Sequence, residues 1–425
     1  MSEYMIDGGV PLNGTVKVSG NKNAALPCIA AALLTDEQVI LRNIPDIEDV
    51  HVMLDVFTAL GGEVTSLQPN TYRLSLRNIK SSEIPAEQAK KIRASILFAG
   101  PLLARTGKVI LPPPGGDVIG RRRLDTHFLV LTELGSKVKI SDKFTFTAKT
   151  LTGADIFLDE ASVTATENAI MAAVLAKGKT ILTNAASEPH VQDLCRMLVE
   201  MGAKIEGIGS NILVINGVKK LTGCDYEIGP DFMEVGSFIG LASATGGDLH
   251  IEGARANDMR PAKIAFGKLG IVWGHEGNII HVPKNQSMEI NQDLGGMIPK
   301  IDDAPWPGFP PDLVSIVMVV ATQVKGTVLI HEKMYESRMF FVDKLIGMGA
   351  RIVLCDPHRA VISGPSKLHG SELISPDVRA GMAMLIAALC AKGKSVIRNV
   401  YQIERGYEHL VERLSSLGAR IFRKE

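Results

Sequence analysis

Charge of one sign is missing from this sequence. Its 46 Lys and Arg balance 46 Asp and Glu, and the formal net charge is zero. That balance excludes a general nucleic-acid or membrane-surface protein, which would carry a basic excess. Long hydrophobic runs are missing too. The longest, near Val314–Ala321 and Met382–Cys390, fall far short of the about 20 residues that span a bilayer. The five cysteines are odd in number and have no metal-type spacing. They read as reduced, mostly buried thiols of a cytosolic protein. The N-terminus has no basic-then-apolar signal, and no low-complexity tail or disordered linker stands out. What remains is a cytoplasmic globular chain of 425 residues, long enough for two or three domains.

What the chain does have is one sentence repeated six times. A helix-like apolar stretch ends in Leu or Met, then Gly, at Gly61, Gly135, Gly202, Gly270, Gly349 and Gly418, spaced 67 to 79 residues apart. After a gap of two residues comes an apolar residue. A period that long marks a repeated supersecondary unit, and glycine there fits the left-handed position just past a helix end. Upstream of five endings, a small polar turn leads into a β-branched run: Gly107, Gly178, Gly246–Gly247, Gly326 and Gly393 each precede one, and the first copy reads Leu34 to Ile40. Turn glycine followed by such a run predicts a strand. The grammar is therefore strand, polar connection, amphipathic helix, Gly, strand. Six units of about 70 residues suggest two domains of three units each.

Four segments break this grammar with charges, prolines and glycines. Gly20-Asn21-Lys22-Asn23 before an Ala-rich helix suits either an anion-friendly helix N-terminus or a plain N-cap beside an exposed lysine. Residues 112–127 hold three prolines, three glycines and Arg121–Arg123. A loop that long in a compact domain is usually functional. Asp117, five residues before Arg122, suits a lid over an anion better than a nucleic-acid patch, because interleaved aromatics are missing. Residues 302–312 hold four prolines and two aromatics and end in Asp312. Asp302 and Asp303 lack further oxygen ligands at a metal-binding spacing, and Asp312 reads as a general base or a helix cap. Arg338, Arg379 and Arg405 stand alone at element junctions, each with an acid nearby. A surface pair of that kind is worth little. Arg379, however, opens the apolar stretch Ala380–Ala388, and a charge at the mouth of a buried helix needs a reason. Five cations, Lys22, Arg122, Arg338, Arg379 and Arg405, would on convergence need a highly anionic ligand such as a phosphorylated carboxylate.

Read together and in order, several motifs resemble the enolpyruvyl transferases over essentially the whole chain. They are Gly20-Asn21-Lys22-Asn23-Ala24, Arg93-Ala94-Ser95, Pro114-Gly115-Gly116 with Gly120 and Asp125-Thr126-His127, Ser187-Glu188-Pro189, Phe309-Pro310-Pro311-Asp312, Asp377-Val378-Arg379-Ala380-Gly381 and Glu404-Arg405-Gly406-Tyr407-Glu408. The likeness is strongest to members that act on UDP-N-acetylglucosamine. It implies two inside-out α/β barrel domains, each of three βαβαββ-type repeats with helices inside and sheets outside. One would span residues 22–230, the other residues 1–21 plus 231–425, with the active site in the cleft between them. The implied reaction moves the enolpyruvyl group of phosphoenolpyruvate to the 3-hydroxyl of UDP-N-acetylglucosamine and releases phosphate, the first committed step of peptidoglycan synthesis. No metal or organic cofactor is expected, and the oligomeric state stays open.

The resemblance also assigns roles. Asp312 takes the proton from the sugar hydroxyl. Lys22, Arg122 and Arg405 hold the phosphate, Arg338 and Arg379 lie near the carboxylate, and Arg93 supports the site. Asn23, Asp125, His127, Ser162, Val163 and Met334 fall where the family contacts the nucleotide sugar, together with Arg93 and Asp312. Asp117 is a departure, since many relatives carry there a cysteine that donates a proton and is alkylated by the epoxide antibiotic fosfomycin. A carboxylate is a poorer nucleophile toward the epoxide, so insensitivity to the drug is expected. An ordinary Asp titrates near about 3.9 against about 8.5 for Cys, so Asp117 is expected to act as an acid only beside bound phosphate. Glu160, Thr164 and Phe232 also depart from the family pattern and bear on nucleotide contacts. Three other readings compete: the sibling transferase acting on shikimate 3-phosphate, a non-catalytic nucleotide-sugar binder, and an RNA-end cyclase. Loss of Lys22, Asp312 or Arg405 would mark the second, and a basic face the third.

Overall fold

A computed structural model describes residues 2–116 and 123–425. Asp117 and Arg122 lie outside the described residues. The chain divides into two compact units, one of residues 2–19 and 230–425, the other of residues 20–116 and 123–229. Each unit has its own hydrophobic core. Among the described residues no helix is long and apolar enough to cross a membrane.

The repeated sentence folds as written. Residues 155–216 run strand Asp155–Phe157, buried helix Val163–Ala173, strand Lys179–Thr183, surface helix Pro189–Glu200, and strands Lys204–Glu206 and Ile212–Asn216. Residues 300–364 repeat the same βαβαββ order. All six signature glycines take positive φ, from 72° to 107°. In every copy the amide after the glycine donates to the carbonyl five residues back, at 2.9 to 3.1 Å: Gly62 to Phe57, Ser136 to Leu131, Ala203 to Leu198, Ile271 to Phe266, Ala350 to Leu345 and Ala419 to Leu414. That is the Schellman closure, which satisfies carbonyls a helix end leaves bare. In the fourth copy the next amide, Val272, is taken by Gln286 Oε1 at 2.8 Å. The strand after it is delayed to Gly274–Glu276.

Among the described residues each copy also owns a sheet, five of four strands and one of three. In the four-stranded sheets a leading strand pairs in parallel with the second strand, and the other two follow antiparallel. Among the described residues the sheets stay separate and do not close into one hydrogen-bonded barrel. In the second copy the leading strand shrinks to a single bridge between Glu83 and Ile110. In the first and fourth copies the leading strands are exchanged. Gly14–Lys17 precedes helix Lys22–Ala31 but pairs with Leu249–Glu252. Cys224–Glu227 precedes helix Phe232–Thr245 but pairs with Val39–Arg42. The N-terminal strand Glu3–Asp7 completes the last sheet, between Lys394–Arg398 and Arg420–Lys424.

One helix per copy is buried nearly all round. Helices Phe232–Thr245, Val314–Gln323 and Val378–Cys390 pack pairwise in one unit. Ala99–Thr106 packs on Val163–Ala173 in the other, where Lys22–Ala31 lines the same core. Helices Phe232–Thr245, Val314–Gln323 and Val378–Cys390 are apolar nearly all round, as full burial requires. Two of the buried helices carry a cation at the N-terminus, Lys22 and Arg379. All five thiols are free; Cys28 and Cys195 are buried, whereas Cys355 is exposed.

Candidate active site

A cation at a helix N-terminus is placed against the helix dipole, and burial adds to the cost. This chain does it repeatedly. Lys22 is the first residue of helix Lys22–Ala31 and Arg379 the second of Val378–Cys390. The polar caps of these helices come from other residues. Asn21 accepts from the amides of Asn23 and Ala24 at 2.8 and 3.3 Å, and Asp377 from those of Arg379 and Ala380 at 2.9 and 3.1 Å. Asp231 caps Phe232–Thr245 in the same way. The cations are thus free of capping duty and need partners of their own.

In the unit of residues 2–19 and 230–425 the partner is Asp312. Its Oδ2 accepts from Arg379 Nε at 2.8 Å and its Oδ1 accepts from Arg338 Nη2. Neither arginine uses the acid beside it in sequence for this pairing. Both are almost fully buried, at 8 % exposure for Arg338 and 6 % for Arg379, so the surface-pair reading fails for them. Arg379 Nη1 also donates to Tyr407 Oη at 3.2 Å, and that hydroxyl lies 2.8 Å from Ser237 Oγ. The Arg379 guanidinium sits 5.6 Å from the Tyr407 ring centroid. Burial pushes the Asp312 carboxyl up, but Arg379 and then Arg338 outweigh it and hold the group well below the usual carboxylate range. Arg405 is buried as well and donates to Gln402 Oε1 at 3.1 Å. Met334 is held by its amide, which donates to Glu332 Oε1 at 3.1 Å.

In the unit of residues 20–116 and 123–229, Lys22 Nζ lies 2.5 Å from Asp49 Oδ2, with both side chains largely buried. Lys22 is therefore not the exposed lysine of a plain cap. Arg93 opens the turn Arg93–Phe98 and donates to the Arg123 carbonyl at 2.8 Å. Asp125 pairs with Arg123 at 2.8 Å on the surface. His127 is buried and its side chain is committed internally. The Asn168 amide is fixed by donating to Ile96 O at 2.9 Å and by accepting from Gly100 N at 2.8 Å. Its remaining N–H faces His127 Nδ1 at 3.0 Å. Nδ1 is then the acceptor, and Nε2–H donates to Thr164 Oγ1 at 3.0 Å. Burial, and then Arg93, push the imidazole down to about 3, so it is neutral. Ser162 and Val163 open helix Val163–Ala173 without a side-chain cap. Its first amides are available to a ligand acceptor.

The three sequence departures have distinct settings. Thr164 supplies the hydroxyl that fixes His127. Phe232 is buried edge-on against Trp306 of the proline-rich loop, with centroids 5.7 Å apart. Glu160 is exposed. Sequence reasoning missed Asp49, Asn168, Ser237 and Tyr407 as partners. Asp231 and Asp377 carried a signal, an acid immediately before a largely apolar helix. One group of metal-type residues, Asp248, His250 and His281, occurs among the described residues on neighbouring strands. Its imidazoles stack in parallel with centroids 4.3 Å apart, and His281 Nε2 lies 3.0 Å from Asp248 Oδ1. The lone pairs of parallel rings do not converge on one point.

A family model described as EPSP synthase (3-phosphoshikimate 1-carboxyvinyltransferase) matches residues 6–414. A protein of Treponema denticola named UDP-N-acetylglucosamine 1-carboxyvinyltransferase is 72% identical over 425 residues, covering 100% of both chains. Relatives of the same name from Treponema pallidum and Bradyrhizobium diazoefficiens are 64% and 56% identical, over 100% and 99% of this chain and 100% and 98% of their own. Among solved structures, the enolpyruvyl transferase NikO from Streptomyces tendae superposes with a TM-score of 0.89 at 24% identity, covering 100% of this chain and 99% of its own. EPSP synthase from Acinetobacter baumannii gives 0.78 at 17%, covering 100% of both. These two share the fold. With full-length relatives of such identity, the chain belongs to the enolpyruvyl transferase family and, within it, to the UDP-N-acetylglucosamine 1-carboxyvinyltransferases.

Proposed function

We propose that the protein transfers the enolpyruvyl group of phosphoenolpyruvate to the 3-hydroxyl of UDP-N-acetylglucosamine, releasing phosphate, as the first committed step of peptidoglycan synthesis. The names of the full-length relatives support the acceptor. The observation that carries the chemistry is the buried Asp312–Arg338–Arg379 cluster, in which one carboxylate holds two guanidiniums.

The reaction needs a proton on the methylene carbon of phosphoenolpyruvate while the sugar oxygen attacks the adjacent carbon. The resulting tetrahedral phospholactoyl adduct then loses a proton from that same carbon and expels phosphate. Asp312 accepts the proton of the sugar hydroxyl. In the free protein it is a poor base, because both arginines stabilise its charged form. A substrate carboxylate bound to Arg338 and Arg379 takes over that charge and returns basicity to Asp312. Lys22, Arg122 and Arg405 hold the phosphate. Lys22 stands at a helix N-terminus where both lysine and dipole favour an anion. Asn23, Arg93, Asp125, Ser162, Val163 and Met334 contact the nucleotide sugar. His127 contributes through its backbone, since its ring nitrogens are committed to Thr164 and Asn168. Asp117 donates the proton to the methylene carbon, and the protein is insensitive to fosfomycin.

The test is phosphate release from phosphoenolpyruvate with UDP-N-acetylglucosamine or with shikimate 3-phosphate as acceptor, with and without fosfomycin. Release only with the nucleotide sugar and unchanged by the drug is expected. Release with shikimate 3-phosphate would reassign the acceptor. A covalent drug adduct on Asp117 in intact-mass analysis would overturn its insensitivity.

A further inference from the structure

Asp303 Oδ2 and Glu332 Oε2 are buried carboxyl oxygens without a hydrogen-bond partner among the described residues. Both residues are fully buried. Their other oxygens are satisfied. Asp303 Oδ1 accepts from the Lys333 amide at 2.5 Å, and Glu332 Oε1 accepts from the amides of Met334 and Tyr335, both at 3.1 Å. Two ionised carboxylates offer only acceptors and cannot satisfy each other. A buried acceptor left bare is destabilising, and two like charges buried side by side are more so. One proton removes both penalties.

We propose that Asp303 and Glu332 share a single proton in a carboxyl–carboxylate hydrogen bond, and that this bond fixes the segment Glu332–Arg338 that presents Met334 and Arg338. The segment is otherwise short of regular structure. Strand Gly326–His331 ends just before it, and Arg338 at its far end reaches Asp312. Asp303 sits on the neighbouring strand's continuation, past Lys300–Asp302. The bond therefore ties the loop carrying Asp312 to the loop carrying its partner arginine. Its role in positioning rests on the functional reading above; the shared proton does not.

The electrostatic surroundings agree. Burial, then the Asp303 carboxyl, push Glu332 well above the usual carboxyl range, and Arg338 opposes them without prevailing. The neighbouring lysines are engaged elsewhere. Lys333 Nζ and Lys300 Nζ pair with Asp302 at 2.8 and 3.0 Å, and His358 Nδ1 lies 2.8 Å from the Glu332 backbone carbonyl. The Arg338 guanidinium lies 5.2 Å from the Tyr335 ring centroid.

The sign follows from linkage. A carboxyl that keeps its proton in the folded state contributes stability that is complete below its unfolded pKa, about 4.3 for Glu. That contribution is lost as pH rises through neutral toward the raised folded value. Glu332→Gln replaces the shared proton with an amide donor that never ionises. The experiment is thermal unfolding of the full chain from pH 5 to pH 9. The wild-type melting temperature falls as pH rises, whereas E332Q loses that slope and melts above wild type at the alkaline end. Parallel slopes for the two proteins would overturn the proposal. Asp303→Asn, whose amide donates to an ionised Glu332, guards against a folding failure of E332Q and is expected to flatten the slope in the same way. Infrared difference spectroscopy gives an independent reading, a protonated-carboxyl stretch at neutral pH that disappears in E332Q; its absence from wild type would equally sink the idea. For positioning, a rise in KM for phosphoenolpyruvate at alkaline pH is expected in wild type and not in E332Q, with kcat at neutral pH unchanged. An alkaline KM rise that persists in E332Q would detach the bond from the site.

Discussion

Arg379 shows what a single residue must satisfy here. It is buried, it sits against a helix dipole, and its guanidinium is shared between Asp312 and Tyr407. A lysine keeps the charge but loses the planar fork that serves both partners. Arg379→Lys is therefore expected to lower kcat/KM for phosphoenolpyruvate by at least about tenfold, the equivalent of about 1.4 kcal/mol, with the fold retained. Steady-state kinetics alongside circular dichroism checks this. A variant with unchanged kcat/KM would leave the arginine a purely structural role. His127 makes the opposite case, a titratable group in the candidate nucleotide region whose ring works structurally. Held neutral with its pKa pushed down to about 3, it contributes stability that is present above its unfolded value of about 6.5. That stability is lost as pH falls below it. His127→Gln, which keeps a side-chain amide near Thr164, is expected to flatten the fall of melting temperature between pH 6.5 and pH 4. An unchanged acid slope would show that the unfolding cost lies elsewhere.

At the scale of elements, the six glycine closures separate backbone strain from crowding. A Cβ on Gly418 meets nothing within 4 Å, so Gly418→Ala suffers only its φ of 96°. The left-handed penalty is about 1–2 kcal/mol. A Cβ on Gly270 would stand 2.5 Å from the Glu289 carbonyl oxygen, so Gly270→Ala is expected to cost more than Gly418→Ala in urea unfolding. Equal losses would argue against the crowding. These closures were also the most legible part of the sequence. The Leu-Gly or Met-Gly ending, the two-residue gap and the apolar residue after it are local chemistry, and local chemistry repeats in the chain as it repeats in the fold. The exchange of leading strands between the first and fourth copies was not legible. Gly14–Lys17 and Leu249–Glu252 are more than two hundred positions apart, and nothing in either strand's alternation names its partner. The fourth closure misled for a local reason, since the Gln286 side chain intercepts the amide that would have begun the strand.

At the scale of the whole molecule, the sequence motifs marked which residues matter but not how they answer one another. Asp312 was readable as a general base or a cap. That it also neutralises Arg338 and Arg379, 26 and 67 positions away, required the fold. The same holds for Lys22, whose counter-charge Asp49 lies inside the helix Glu48–Ala59. The common logic is a set of buried, mostly apolar helices, two of which carry a cation at the N-terminus, Lys22 and Arg379, each held by an acid; on the proposed reaction an anionic substrate takes that acid's place. On the proposed reaction Asp312 has two duties, occupying the arginines when the protein is empty and taking a proton when it is full.

Asp312→Asn separates those duties, and calorimetric titration of phosphoenolpyruvate in saturating UDP-N-acetylglucosamine, paired with single-turnover phosphate release, is the measurement that does so. Removing the internal carboxylate frees Arg338 and Arg379, so phosphoenolpyruvate is expected to bind at least as tightly as in wild type. Release of phosphate is expected to slow by about 10²–10⁴-fold, the range that a general base supplies. Weakened binding with release still fast would contradict the account, leaving Asp312 a scaffold for the arginines and placing the base elsewhere.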